Sequence, residues 1–449
     1  MQQKACSTTY CQTFRHRFES KLKQYMGLIL VLLCIWTFVL TWITFLPPRD
    51  PTVIRSLQRV CTRNRPFENA QGTDIYIYTE PAFSVGYKLW MFFRTIQLTG
   101  FRGLLGHGRF YCVFQDERGG LSSSRVNVIT NPNTPLFWWS FRYQPALFEC
   151  VVPGDVQPIR VSVSSTSQHP GTSFIPIMAD NATQPTGNGV AICLQHLANV
   201  TSSRAVAEWM EMQRLQGADR VILYGYQNVS AGVERLLQHY IASGFLQLQP
   251  WRVPWPSSRD PADGGLVHTS GHQASIQDCL LRFRTRYEYL VFIDLDEYIM
   301  ASSPSVPLQY QDLYQFMEIK MGRSLNVIHF KTTLFCTNET VIIRNDSDST
   351  LYTQTFQKRE PFSKDFTHLA SKVIIRPHSV STMGIHGPEW WLADDTRAVA
   401  PPDVAKLHHY KPKQGCGTTD SAMGRLKGLL PKMVKDALMK VTVGQAARS

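Results

Sequence analysis

Charge is scarce in this chain: Asp, Glu, Lys and Arg make up 18% of its 449 residues. Lys and Arg outnumber Asp and Glu by 46 to 34, a formal net charge of +12, yet they gather into no basic block and no RNA-binding signature. The excess suits anionic partners such as phosphates or lipid headgroups, and gives no support to nucleic-acid binding. Neither C-x-x-C nor H-E-x-x-H occurs, so zinc ribbons and zincins have no footing. G-x-x-x-x-G-K-[ST], a G-x-G-x-x-G after a strand and G-x-S-x-G are also missing, which sets aside kinase, GTPase and dehydrogenase readings and leaves nothing to anchor a serine nucleophile. What the chain does have is apolar bulk. Hydrophobic residues make up 43%, with 24 Phe, 17 Tyr and 10 Trp, which argues for two or three folded domains rather than disorder or coiled coil.

Gly27 to Leu46, GLILVLLCIWTFVLTWITFL, is twenty residues long without a charge, with Tyr25, Trp36 and Trp42 as interface anchors. It is expected to be one transmembrane helix. It runs into Pro47-Pro48-Arg49-Asp50 rather than into small residues, so an uncleaved anchor is expected rather than a signal peptide. Basic residues flank both ends, and the positive-inside count does not decide orientation. Five N-x-S/T sequons, at Asn181, Asn199, Asn228, Asn338 and Asn345, all follow the span and place the long C-terminal part in the lumen. Seven cysteines also follow it: Cys61, Cys112, Cys150, Cys193, Cys279, Cys336 and Cys416. An oxidising lumen would pair six and leave one free or linked to another chain, as in a disulfide-linked homodimer.

From about residue 70 to 165, alternating and aromatic runs broken by Gly, Pro and Asn predict short strands. From about 190 the pattern changes to strands alternating with helices. Val190–Leu197 is apolar, Ser203–Leu215 is helical, and Arg220–Tyr226 is a strand. Ser230–Ser243 is a helix stopped by Gly244, and Phe245–Trp251 is a further strand. A helix over about 276–285 and a buried strand over Tyr287–Leu295 follow. This order predicts an α/β domain with a mainly parallel sheet, whose ligands bind beyond the carboxyl ends of the strands. The tail Ser421–Val443, interrupted by Pro431, reads as a surface helix pair, with a helix lying on a membrane as the alternative.

Asp294-Leu295-Asp296-Glu297 ends the apolar run YEYLVFI. In an extended chain Asp294 and Asp296 would share one side and suit Mn²⁺ or Mg²⁺, which use one or two carboxylates together with substrate phosphates. A second D-x-D, Asp346-Ser347-Asp348, lies in a polar stretch and reads as solvated. His408 and His409 in LHHYK are candidate third ligands, followed by His386. Lys372, Arg376 and Lys411 are candidate phosphate clamps, Lys372 foremost. Glu389, then Asp394 and Asp395, are candidate general bases, beside Trp390 and Trp391 as flat faces for a sugar.

Five segments together resemble glycosyltransferase family 92 across about residues 185–412. They are Glu208-Trp209…Arg214-Leu215-Gln216-Gly217, Gln273…Asp278-Cys279-Leu280…Arg282, Phe292 to Tyr298, Lys372…Arg376-Pro377…Met383-Gly384-Ile385-His386, and His409-Tyr410-Lys411. The resemblance implies a GT-A-type fold, a mixed sheet flanked by helices that binds a nucleotide sugar. It also implies a Golgi type II membrane enzyme and inverting transfer from UDP-galactose to galactose or fucose of glycoprotein N-glycans, commonly in β1,4 linkage. It implies a metal held by Asp294 and Asp296, with His409 favoured over His408, and Asp278 on the cofactor side. The sequence departs from the pattern at Gln213, where relatives often have His, and at Gly225, where many have an acid; both were expected near the nucleotide. The expected division is a cytosolic tail (1–26), anchor (27–46), stem (47–70), β-rich region (71–165), catalytic domain (166–415) and basic helical tail (416–449). Alternatives are another UDP-sugar on the same fold, a non-catalytic glycan-binding protein, or a phosphohydrolase.

Overall fold

The computed structural model describes residues 67–446 except 71–74, 79–81, 86–94, 104–108, 130–140, 155, 172, 179–187, 339, 341–349, 362–370 and 393–394. The expected anchor at 27–46, Cys61, the sequons at Asn181 and Asn345, the second D-x-D and Asp394 therefore lie outside the described residues. Among the described residues no helix is long and apolar enough to cross a membrane.

The first part is all strand. Nine strands between Phe67 and Met178 form one sheet, and Tyr143–Val151 pairs with both Leu121–Ile129 and Thr95–Gly103, so seven of them close on themselves. Closure removes the free sheet edges that invite aggregation. The barrel takes its strand Ile175–Met178 from beyond residue 165, where patterning alone ends the region, because four residues between loops carry too little alternation to be read. Its interior holds Phe110, Phe114, Phe148 and the Cys112–Cys150 disulfide.

The second part is mixed α/β. Val190–Leu194 lies at the centre, parallel to Arg220–Tyr224 on one side and to Tyr289–Phe292 on the other, with Leu246–Gln249 parallel beyond Arg220–Tyr224. Ser371–Ile375 and Val327–Thr337 continue the sheet antiparallel. Strand order reverses about Val190–Leu194, so a crevice forms where its carboxyl end meets that of Tyr289–Phe292. Local chemistry sets the helices. The Ser202 hydroxyl accepts from the Ala205 amide and starts Ser203–Leu215, and Ser230 does the same for Ala231–Ala242 through the Val233 amide. Gly217 and Gly244, at φ 79° and 75°, let the chain leave these helices.

The His272–Phe283 helix begins four residues earlier than the periodicity predicts, because its first turn packs against neighbours instead of showing an exposed face; every residue of it is buried. At the C-terminus Pro431 does not interrupt a helix. It lies in the first turn of Leu430–Ala446, where its missing N–H has no intrahelical partner to lose. Leu430, Val434 and Ala437 of that helix are buried against the Ser203–Leu215 and Ala231–Ala242 helices.

Barrel and α/β sheet share a core. Phe67, Tyr78, Phe101 and Tyr143 of the barrel pack with Trp251, and Tyr143 stacks on Trp255 with centroids 3.8 Å apart. Beneath this seam the Arg282 guanidinium donates to Asp278 at 2.9 and 2.8 Å and lies over the Tyr78 ring, while the Tyr224 hydroxyl donates to Asp278 at 2.5 Å. Cys193–Cys279 joins the central strand to the same helix, and Cys336–Cys416 fastens the C-terminal segment. These three disulfides pair six of the seven cysteines that follow residue 46.

Removing one side of the buried ion pair strands the other charge. Asp278→Ala should therefore lower unfolding free energy by about 3–5 kcal/mol, read as a fall in the urea midpoint under non-reducing conditions. Asp395→Ala, which breaks a solvated pair with Arg397, should leave the midpoint where it is.

Candidate active site

The motif Asp294–Glu297 is a turn and not the extended segment that alternation suggests. Tyr289–Phe292 ends before it, the Glu297 amide donates to the Asp294 carbonyl at 3.1 Å, and a new strand starts at Glu297. The Trp209 indole donates to both the Asp294 and Glu297 carbonyls, at 3.0 and 3.1 Å, and fixes the turn from the Ser203–Leu215 helix. Asp294 and Asp296 consequently point to different partners.

Asp294 Oδ2 accepts from Lys372 Nζ at 2.9 Å, and its Oδ1 lies 3.8 Å from His272 Nε2. Lys372 also stands 3.4 Å from Glu297 Oε2. Burial alone would raise the Asp294 carboxyl, but Lys372 and His272 outweigh it and hold the group well below its ordinary value. Burial alone would lower Lys372, yet Asp294 and Glu297 outweigh it and hold the ammonium above its ordinary value. Glu297, where burial dominates, is pushed up to about 7. His272 is pushed down to about 3 by burial, and burial with the nearby Lys372 keeps His386 below the usual imidazole value.

Asp296 faces outward. Its Oδ2 lies 3.4 Å from His409 Nε2 and 3.8 Å from Lys411 Nζ. The strand register explains the meeting: Ala405–Pro412 pairs with Glu297–Ala301 so that His409 lies opposite Glu297. His409 Nδ1 lies 3.6 Å from Glu297 Oε1, so the buried carboxylate backs the ring while Nε2 faces Asp296. The adjacent His408 points the other way and is fully buried, stacked on Phe335 at 4.3 Å with neither ring nitrogen hydrogen-bonded. Strand alternation thus separates the two histidines that the sequence leaves side by side.

Among the described residues no three His, Cys, Asp or Glu side chains close a metal cage. The Asp296–His409 pair still fits a divalent cation, since two ligands at right angles on a metal with bonds of about 2.1 Å lie about 3 Å apart. A carboxylate with an imidazole suits Mn²⁺.

Other candidates fall elsewhere. Asp278 is buried and held by Arg282 and Tyr224, which leaves no carboxylate for a cofactor. Arg376 follows the strand Ser371–Ile375, at the opposite end from Lys372, and pairs with Glu318 and the Tyr289 hydroxyl. Gln213 is likewise core, accepting from the Tyr310 hydroxyl at 2.6 Å. Gly225 has φ 71°, and a Cβ there would press on the Trp251 carbonyl, so the acid of many relatives has no room. Glu389 lies on Pro388–Trp391 against Gly384, where a Cβ would collide with its carboxylate. Asp395 is bound by Arg397 at the surface. His272, Glu297 and the exposed position of Lys411 were not identified from sequence. Glu297 stood inside the motif, but nothing local marks His272, which only the turn at Gly271 brings to Asp294.

His408 is neutral in the fold because burial lowers it to about 3, whereas the unfolded chain takes its proton near 6.5. Its stability contribution is complete above pH 6.5 and is lost as pH falls toward 3, at about 1.4 kcal/mol per unit for one proton. His408→Phe should flatten the fall of the urea midpoint between pH 6.5 and 4.5 and leave Mn²⁺ affinity unchanged. His409→Ala should weaken Mn²⁺ binding by calorimetry.

Residues 188–423 match glycosyltransferase family 92. The chain is 24% identical over 251 residues to the beta-1,4-galactosyltransferase galt-1 of Caenorhabditis elegans, a match covering 53% of this chain and 52% of that protein, so it spans about half the length of the curated relative it matches. Among solved structures, the glucosyl-3-phosphoglycerate synthase of Mycobacterium tuberculosis with Mn²⁺, UDP and glucosyl-3-phosphoglycerate is 12% identical, with a TM-score of 0.25 over 57% of this chain and 80% of that one. The apo bifunctional glycosyltransferase WbbM is 15% identical, with a TM-score of 0.18 over 40% of this chain and 28% of that one. Likeness that slight carries no weight. The match to the family spans more than half of the chain, and on it the protein belongs to glycosyltransferase family 92.

Proposed function

We propose that the protein is a metal-dependent, inverting galactosyltransferase of GT-A type that moves galactose from UDP-galactose to a terminal galactose or fucose of glycoprotein N-glycans, in β1,4 linkage. The observation that carries this reading is the outward-facing Asp296–His409 pair beside Lys411, at the crevice where strand order reverses. The name of the worm relative supports the transferred sugar and the linkage.

Asp296 and His409 would hold Mn²⁺ or Mg²⁺. Bound there, such a cation would supply positive charge to offset the negative charge growing on the leaving UDP. Lys372 is buried and committed to Asp294 and Glu297, so its work is to keep Asp294 ionised next to the site rather than to clamp phosphate. Lys411 is partly exposed on the same strand as His409 and is the better phosphate partner. Glu389 takes the proton of the attacking hydroxyl at its carboxylate.

The protein would act in the Golgi lumen, anchored by the 27–46 segment, with linkage of two chains through Cys61 an open form. Asn199, Asn228 and Asn338 are exposed, and Asn199 and Asn228 take left-handed φ values of 58° and 52° that asparagine tolerates. Peptide-N-glycosidase should therefore lower the apparent mass of the cell-expressed protein; an unchanged mass would contradict lumenal placement.

A UDP-sugar panel with Mn²⁺ and N-glycan acceptors tests the activity. Incorporation is expected from UDP-galactose and should disappear with chelator. Asp296→Asn should cut kcat at least about 10²-fold, and Glu389→Gln about 10²–10⁴-fold, with melting temperature retained. Turnover of another UDP-sugar and none from UDP-galactose would refute the donor assignment.

A further inference from the structure

Two sequons, Asn199-Val200-Thr201 and Asn228-Val229-Ser230, belong to successive strand–helix units of the α/β sheet, yet in space they are neighbours. The short strands Leu197–Ala198 and Tyr226–Gln227 pair parallel, with Leu197 beside Tyr226 and Ala198 beside Gln227. The ladder runs on past them: the Asn199 amide donates to the Gln227 carbonyl at 3.2 Å and the Ser230 amide to the Val200 carbonyl at 3.0 Å. Asn199 therefore stands beside Asn228, one strand spacing away, about 4.7–4.9 Å.

Both asparagines are exposed, and both take the left-handed conformation, at φ 58° and 52°. Shared register and like backbone send the two side chains out on the same side. The backbone has little freedom to turn either aside, because the next residue is anchored: Val200 is buried and Val229 packs against the same core. The hydroxyl of the second sequon is committed as well. Ser230 Oγ donates to the Thr201 carbonyl at 2.8 Å and accepts from the Val233 amide at 3.2 Å as the cap of Ala231–Ala242.

N-glycosylation joins Asn Nδ2 to the anomeric carbon of an oligosaccharide carried on a lipid pyrophosphate; the amide loses one proton and the lipid pyrophosphate leaves. With Ser230 Oγ held in the fold, that step at Asn228 precedes folding. A chain modified at one asparagine still closes the strand pair, since the other side chain is a short amide. A chain modified at both must set two sugar rings, each broader than a strand spacing, on adjacent positions. It relieves the clash only by giving up the Asn199–Gln227 and Ser230–Val200 bonds that lead into the two helices.

We propose that Asn199 and Asn228 form one modification site, on which the folded protein carries a single N-linked glycan and never two. This rests on the lumenal placement above, so the count is read against Asn338, which is exposed at the end of Val327–Thr337.

The full chain is made in cells that leave glycans in the high-mannose form, trimmed with endoglycosidase H to one N-acetylglucosamine per occupied site, and weighed intact. The double variant Asn199→Gln/Asn228→Gln should carry one glycan fewer than wild type, and the two single variants show which asparagine holds it. Folding is checked by melting temperature. If glutamine at these left-handed positions prevents folding, Thr201→Val with Ser230→Asp removes the same sequons while Asp keeps a capping oxygen. A double variant lighter by two glycans, or by none, overturns the proposal and leaves lumenal placement standing while the Asn338 peptide is modified. A wild-type chain without any glycan, Asn338 included, refutes lumenal placement and the proposal with it.

Discussion

A buried lysine decides how this site can exist. Lys372 is almost wholly out of water, and an isolated ammonium there would give up its proton rather than bear the desolvation. Asp294 and Glu297 prevent that, and Lys372 in turn keeps Asp294 ionised where burial would protonate it. Remove any one member and the other charges lose their balance. The strand Ser371–Ile375 carries the lysine to the end of Tyr289–Phe292, and the Trp209 indole pins the turn in between. With the inner carboxylates neutralised, the turn can present Asp296 outward beside His409 and Lys411 without stacking uncompensated charges.

Two adjacent carboxylates thus do different work. Glu297, raised to about 7 by burial, lies behind the His409 ring, while Asp296 lies in front of it. The arrangement holds an imidazole between an inner and an outer acid. Its precision comes from the pairing of Glu297–Ala301 with Ala405–Pro412, strands more than a hundred residues apart in sequence. Sites supported on paired strands lose little geometry to loop motion, which suits a centre that must align two reactants.

The barrel is not an appendage. Its aromatic seam with Trp251 and Trp255, the Tyr224–Asp278–Arg282 network and Cys193–Cys279 all converge on the His272–Phe283 helix. That helix sends His272 toward Asp294.

Local chemistry was enough to announce much of this from sequence. Serine caps with glycine stops mark the helices 203–215 and 231–242, and the alternation of strands and helices marks a mainly parallel α/β sheet. Seven cysteines after residue 46 mark a disulfide framework, and an acidic motif after an apolar strand marks the crevice, because each depends on neighbours a few residues away. The order of family motifs added the class of enzyme. What tertiary structure alone decided is which acid faces which cation. Asp294 turns to Lys372 and Asp296 to His409, His408 and Asp278 sink into the core, and Arg376 lies at the wrong end of its strand. Those outcomes follow from strand register and from the free energy of desolvating charge, both of which depend on partners that sequence order does not place side by side.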